Sequence, residues 1–297
     1  MADNITILDS SETEKTIATK ELSGAVHANK TISVDESGNF ISNDPMLDIA
    51  KEVIADKKGV NKFGRSTDVD AHATDIWDGA VAGDAGDTWV APTAARIHAI
   101  ASTSTDDDGA PVGTGARTIQ VYGLADWDTV ESSEVITLDG TTGVNTVGSY
   151  VIIHRMKVLT WGSSGPNVGT ITATAATDST VTAQIMPSEG QTQMAIYRSC
   201  PPDVAYMTKY YASAIKAATA LSVEISLLVN TGPNSELTGF LVKHTAGLAT
   251  EGSNYMSHEF APYFKISGPA IIKISGNSSA VGTDVGAGFD LILEDGS

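Results

Sequence analysis

One cysteine stands in the 297 residues, Cys200, so no disulfide can form within the chain. Long apolar runs are missing as well, which leaves no candidate for a membrane-spanning helix. Bases are scarce: 18 Lys and Arg stand against 36 Asp and Glu, for a formal net charge of −18. Phosphate contacts need Lys and Arg to displace counterions, so direct nucleic-acid binding is not expected. The opening MADNITILDSSETEK has no basic segment followed by an apolar one, and the expectation is a chain made in a cytoplasm without a secretory signal.

Catalytic signatures are missing too. No GxSxG elbow, HExxH, P-loop or dinucleotide fingerprint is present, and the histidines at 27, 72, 98, 154, 244 and 258 show no pair at metal-binding spacing. Among 36 acidic residues, carboxylate pairs of the kind glycosidases use arise by coincidence. Cys200, followed by two prolines, reads as a small apolar filler. The expectation is a protein that is not an enzyme and needs no cofactor.

What is present is β grammar. Hydrophobic residues make up 41% of the chain and mean hydropathy is near zero, enough to fill a core. Around residues 184–211, Thr192, Met194 and Ile196 alternate with Gln193, Ala195 and Tyr197, the period-two spacing of a half-buried strand. Pro187 to Gly190 and Cys200 to Asp203 punctuate that stretch as turns.

Further short runs fall at 96–103, 117–124, 133–138, 149–159, 168–176 and 179–186. Others follow at 204–216, 222–229, 237–245, 255–260, 270–275 and 287–293, with the cleanest alternation at Val223, Ile225, Leu227 and Val229. Without intervening helices, such spacing predicts an all-β, antiparallel sandwich or jelly-roll-like body. The run VGTITATAA at 168–176 is small and Thr-rich, suited to close approach of another layer or to an edge strand.

Residues 1–60 read as an arm that ends in one short helix. Ile5 and Ile7 begin a series of β-prone pieces too poor in apolar surface for a core of their own. Over 44–58, Asn43 or Asp44 can cap, Pro45 fits the first turn, Lys57 and Lys58 suit the last, and Gly59 can terminate. Leu47, Ala50, Val53 and Ile54 form its apolar stripe, read either as a docking face or as a plug on the body.

Residues 61–297 form the expected body, with 61–92 an ordered, acidic loop. Residues 61–150 hold 14 acids against 4 bases, which suits a solvated face or pairing with a cation or a basic partner. Trp77 and Trp89 are too large to leave wet, so the loop must fold back on the body or on a partner. Asp68, Asp70, Asp75 and Asp78, with Asp84 and Asp87, invite a calcium reading, although their spacing matches no EF-hand loop. Asp106-Asp107-Asp108-Gly109 reads as an exposed turn. Tyr206, Tyr210 and Tyr211, with Trp161, suit either packing or stacking on sugar rings. The candidate interface residues are Ile5, Ile7, Leu47, Val53, Ile54, Trp77 and Trp89.

The run WGSSGPNVGTITATAATDSTVTAQIMPSEGQTQMAIYRSCPPDVAYMTKYYAS resembles virion structural proteins of tailed, marine-type bacteriophages. So do EFAPYFKISGPAIIKI, DVGAGFDLILED and, upstream, KFGRSTDVDAHATDIWDG, covering roughly residues 60–295. The resemblance implies a trimeric β-sandwich protomer in the virion, with no catalytic residue to carry over. Its expected role is capsid decoration or cement, docking through residues 1–60 onto the major capsid protein or other virion proteins. A tail-fibre or adaptor protein recognising a host-surface glycan is the alternative, and a secreted carbohydrate-active enzyme a third.

Overall fold

The computed structural model describes residues 5–8, 14–17, 44–79, 88–200, 203–215, 222–232, 239–249 and 254–295. Asp84, Asp87 and most of the arm lie outside the described residues. The chain forms two compact units, Met1–Lys58 and Gly59–Ser297.

In the first unit, β1 (Ile5–Leu8) pairs antiparallel with β2 (Glu14–Ile17), placing Ile5 opposite Ile17. The helix α1 spans only Pro45–Ala50. Asp44 caps it, its Oδ1 accepting from the Leu47 N–H at 3.2 Å, and Pro45 occupies the first turn as expected. It ends far short of residue 58. The Lys51 and Val53 N–H groups turn back to the carbonyls of Leu47 and Asp48, and Glu52 and Asp56 adopt left-handed φ of 55° and 61°. Two β-branched residues in succession, Val53 and Ile54, add no helical drive beyond that point. The expected stripe fails with the length, because Leu47 and Ala50 are exposed while Asp48 and Ile49 are buried.

The second unit is all-β and antiparallel. It opens with β3 (Lys57–Val69) and β4 (Thr74–Asp75), continues through β5 (His98–Ser102), β6 (Ala116–Leu124), β7 (Ser132–Thr137), β8 (Val144–Asn145), β9 (Ile152–Trp161), β10 (Ile171–Ala175) and β11 (Val181–Ile185), and then runs through β12 (Ile196–Ser199) and β13 (Val204–Ile215). It closes with β14 (Ser222–Asn230), β15 (Leu241–Ala249), β16 (Asn254–Ile266), β17 (Ala270–Ser278) and β18 (Thr283–Glu294). Where an irregular loop was expected from residue 61, β3 runs as a 13-residue strand.

The strands sort into two lobes. In the first, the sheet β12-β17-β14-β15, joined by β4, faces the sheet β16-β13-β18-β3. Between them lie Val223, Ile225, Leu227 and Val229 from β14, Ile272 and Ile274 from β17, Met207 and Tyr210 from β13, and Phe289 and Leu291 from β18. Each large apolar side chain removed from water contributes about 1.5–3 kcal/mol, which is what drives the two faces together.

The second lobe is contiguous in sequence and inserted between β4 and β12. Its sheets β11-β10-β5-β8 and β7-β6-β9 enclose Ile100, Ile119, Val121, Met156, Ile171 and Ile185. The small strand β10 lies inside its sheet, between β11 and β5, with Ala173 and Ala175 inward. A third cluster sits where the lobes meet, drawing Trp77, Trp89, Met194, Ile196, Cys200 and Ile271 against Leu124, Trp127, Val151 and Ile152.

Candidate functional site

Two places in the second unit gather chemistry: the junction between the lobes and the outer face of the sheet β7-β6-β9. At the junction β3 is bent to an unusual task. Its inward positions there are Lys62, Gly64 and Ser66, all buried, and Val69 follows at its end in the first-lobe core. Gly64 is required there, since a Cβ would lie 2.4 Å from both the Ala195 nitrogen and the Ile76 oxygen. Lys62 donates from Nζ to the His154 carbonyl of the inserted lobe at 2.6 Å. Burial pulls its ammonium down to about 7, reinforced by Arg155 and opposed by Glu131. His154, also buried, places Nε2 2.8 Å from a Glu131 oxygen and sets its ring edge-on to Tyr197. Burial lowers its affinity for a second proton.

Asp75 anchors the next tie. Its Oδ2 accepts from Lys273 Nζ at 2.8 Å and from the Trp89 N–H at 2.9 Å, while the Trp89 indole donates to the Thr182 carbonyl of the inserted lobe at 2.9 Å. Burial pushes the Asp75 carboxyl upward against the pull of Lys273, whose ammonium lies 4.4 Å from the Phe240 ring centre. Arg198, 2% exposed, donates from Nε to the Trp127 carbonyl at 3.0 Å, reaches Asp128 at 3.4 Å and lies over the Trp127 ring. Arg65 holds Asp284 through two bonds of 3.0 and 2.6 Å and sits 3.8 Å from Glu189. Beside it Asp78 is pushed up to about 7, first by burial and then by Glu189, with Arg65 pulling the other way. Lys62, Trp89 and Arg198 act as ties between the lobes, while Asp75 with Lys273 and Arg65 with Asp284 brace the first-lobe side of the seam.

The structure disperses the aspartates considered for calcium. Asp75 is engaged by Lys273, Asp70 lies 2.8 Å from His72, and Asp78 faces Arg65. Among the described residues no three His, Cys, Asp or Glu side chains converge as a metal site. Trp77 and Trp89, read as interface candidates, are 4% and 5% exposed within the chain's own core, which assigns them inward. Leu47 and Val53 are 43% and 49% exposed, and Ile54 is half-buried. Of the residues considered for sugar stacking, Tyr210 is fully buried and Trp161 is 54% exposed.

Asp107 corrects the reading of 106–109 as an exposed turn. It is fully buried and accepts from the Ser102 hydroxyl and from the N–H groups of Ala116, Val168 and Gly169, at 2.6 to 2.9 Å. One carboxylate thus fastens three segments of the inserted lobe.

No protein-family model and no curated protein matches this chain. Two solved structures of infectious bursal disease virus are similar to it in part. The structure of its Gt strain has 10% identity and a TM-score of 0.24, with 81% of this chain and 71% of that one covered. The VP2 subviral particle has 10% identity and a TM-score of 0.23, with 81% and 72% covered. Scores of this size lie well below those of a shared fold, so nothing is transferred from either.

The outer face of β7-β6-β9 is the other gathering point. Register sets three cross-strand rows on it. Ser133, Tyr122 and Arg155 form one, Val135, Gln120 and Lys157 the next, and Thr137, Thr118 and Thr160 the third. Polar contacts stitch them: the Tyr122 hydroxyl donates to Gln120 at 2.7 Å, the Gln120 amide to Ser133 at 3.2 Å, and the Thr118 and Thr160 hydroxyls meet at 2.6 Å. The Arg155 guanidinium lies 5.8 Å from the Tyr122 ring centre. Sequence reading passed over these residues because a Thr, Ser and Gln ladder looks like any solvated strand face.

Proposed function

We propose that this chain is a non-enzymatic structural protein of a tailed-phage virion, one that decorates or cements the capsid. Residues 1–60 dock onto the major capsid protein or other virion proteins, and the β body covers its neighbours, most simply as a trimer. The observation that carries the reading is the open side of the first lobe. There β15 and β16 end their respective sheets, and Leu241, Val242, Tyr255 and Tyr263 are between 50% and 68% exposed. An edge strand that combines unpaired backbone with exposed apolar side chains is an assembly hazard in a monomer and an assembly device in a particle. The exposed Met46, Leu47 and Val53 around α1 support a docking role for the first unit. The ties at the lobe junction support a protein that transmits load as one block.

Light scattering with and without the first 60 residues, followed by co-sedimentation with undecorated phage heads, tests the proposal. Binding of the full chain and loss with the truncation is the expected result. Failure of both forms to bind heads overturns it.

A further inference from the structure

The geometry points to the outer face of β7-β6-β9 as a binding site for an acidic glycan, a polysaccharide bearing carboxylates or sulfates among its hydroxyls. Charge comes first. In a chain of net charge −18, the nine positions of the three rows hold two cations, Arg155 and Lys157, and no carboxylate. Neither cation forms an ion pair among the described residues. Of the three carboxylates in the turn before β7, Asp128 is engaged by Arg198 and Glu131 by His154, while the exposed Asp126 accepts from the Trp127 N–H. A local positive face on an acidic protein attracts an anion while the rest of the surface repels it, which fixes where such a ligand lands.

Shape and chemistry narrow the class. Three strands about 4.8 Å apart and five residues deep present a flat platform of about 10 by 14 Å, the footprint of a short oligosaccharide rather than of a folded domain. A protein partner needs an apolar centre, and the nine positions of the three rows hold one exposed large hydrophobe, Val135, while the exposed Leu159 and Trp161 of β9 lie outside those rows. A nucleic acid needs a run of cations along its phosphates, and two are too few. Hydroxyls and an amide, by contrast, line every row, with Gln120 and Ser133 already hydrogen-bonded to each other as donors and acceptors for sugar hydroxyls. Arg155 over Tyr122 adds a planar, bidentate donor for a carboxylate or sulfate, held in place by the ring beneath it.

Calorimetric titration of the full chain with oligogalacturonate tests the site, alongside neutral maltooligosaccharide and inorganic polyphosphate. Saturable binding to oligogalacturonate is expected, with the neutral sugar at least about tenfold weaker and the affinity falling as salt rises. Arg155→Gln combined with Lys157→Gln should weaken binding by about tenfold or more, and Val135→Glu, which sets a carboxylate on the middle row opposite Gln120, should do the same. All three changes lie at exposed positions, so circular dichroism and thermal melting should be unchanged. If the double variant melts early, Val135→Glu carries the test alone. No saturable binding overturns the inference, as does binding that none of the variants alters. Equal affinity for polyphosphate reduces the face to a charge patch and also overturns it. Loss of self-association in Val135→Glu without any glycan binding assigns the face to a second copy instead. The result is independent of co-sedimentation with phage heads, which reads the arm and the β15–β16 edge.

Discussion

Asp107 shows how much one side chain can organise. Replacing it with alanine strands three backbone N–H groups and the Ser102 hydroxyl inside the inserted lobe, at about 1–3 kcal/mol for each group that finds no new partner. Asp107→Ala should therefore cost about 3 kcal/mol or more in urea unfolding, and Asp107→Asn less, since the amide keeps one acceptor. The sequence DDDG gives no hint of this, because a carboxylate that accepts four bonds and a solvated turn residue are written with the same letter.

Asp78 behaves in the opposite sense. Its carboxyl titrates near 3.8 in an open chain and near 7 in the folded one. The folded protein thus holds this proton more tightly than the unfolded chain does. The stability that follows is present below the ordinary value and is lost as pH rises through about 7. Asp78→Asn removes that dependence. Its stability relative to wild type should climb between about pH 4 and 7 and level off above, with the variant ahead by about 1–3 kcal/mol. A flat difference curve across that range would show the carboxylate to be matched by Arg65 after all.

At the scale of the element, strands were legible wherever their buried positions were apolar. Val223, Ile225, Leu227 and Val229 announce β14 and all four face the core. β3 hid because its inward positions before Val69 are Lys62, Gly64 and Ser66 while Phe63 is 37% exposed, so over most of the strand the alternation runs against the usual polarity. The helix was overextended because capping residues mark a start well, whereas its end was set by backbone turns at Glu52 and Asp56 that composition does not display. The exposed edge of β15 carries its own expectation. Leu241→Lys with Val242→Lys should leave thermal stability within about 0.5 kcal/mol, as for other surface changes, and should abolish head binding or self-association in sedimentation. Unchanged assembly would remove this edge from the interface.

For the whole molecule, the junction decides whether two lobes behave as one. Arg198, Lys62 and Trp89 each cross the seam, so wild-type protein should unfold in a single urea transition. Trp127→Ala takes a large ring from the junction core and leaves Arg198 without its stacking surface, at about 3–5 kcal/mol. The expected result is two transitions, the inserted lobe separating from the first. The insertion itself was not legible. Both lobes use the same short antiparallel strands, and only pairing across long sequence distances, β4 with β17 or β13 with β18, shows where one lobe pauses and resumes.

That interruption sets a timetable on the ribosome. β3 and β4 emerge early, yet their partners β18 and β17 lie at the far end of the chain, so the first lobe cannot close until the inserted lobe has been made. At bacterial or eukaryotic synthesis speeds the wait is on the order of ten seconds. A conventional apolar strand left unpaired that long would be a nucleus for aggregation. The lysine, glycine and serine on the inner side of β3 make it a strand that can stand in water until its lobe arrives.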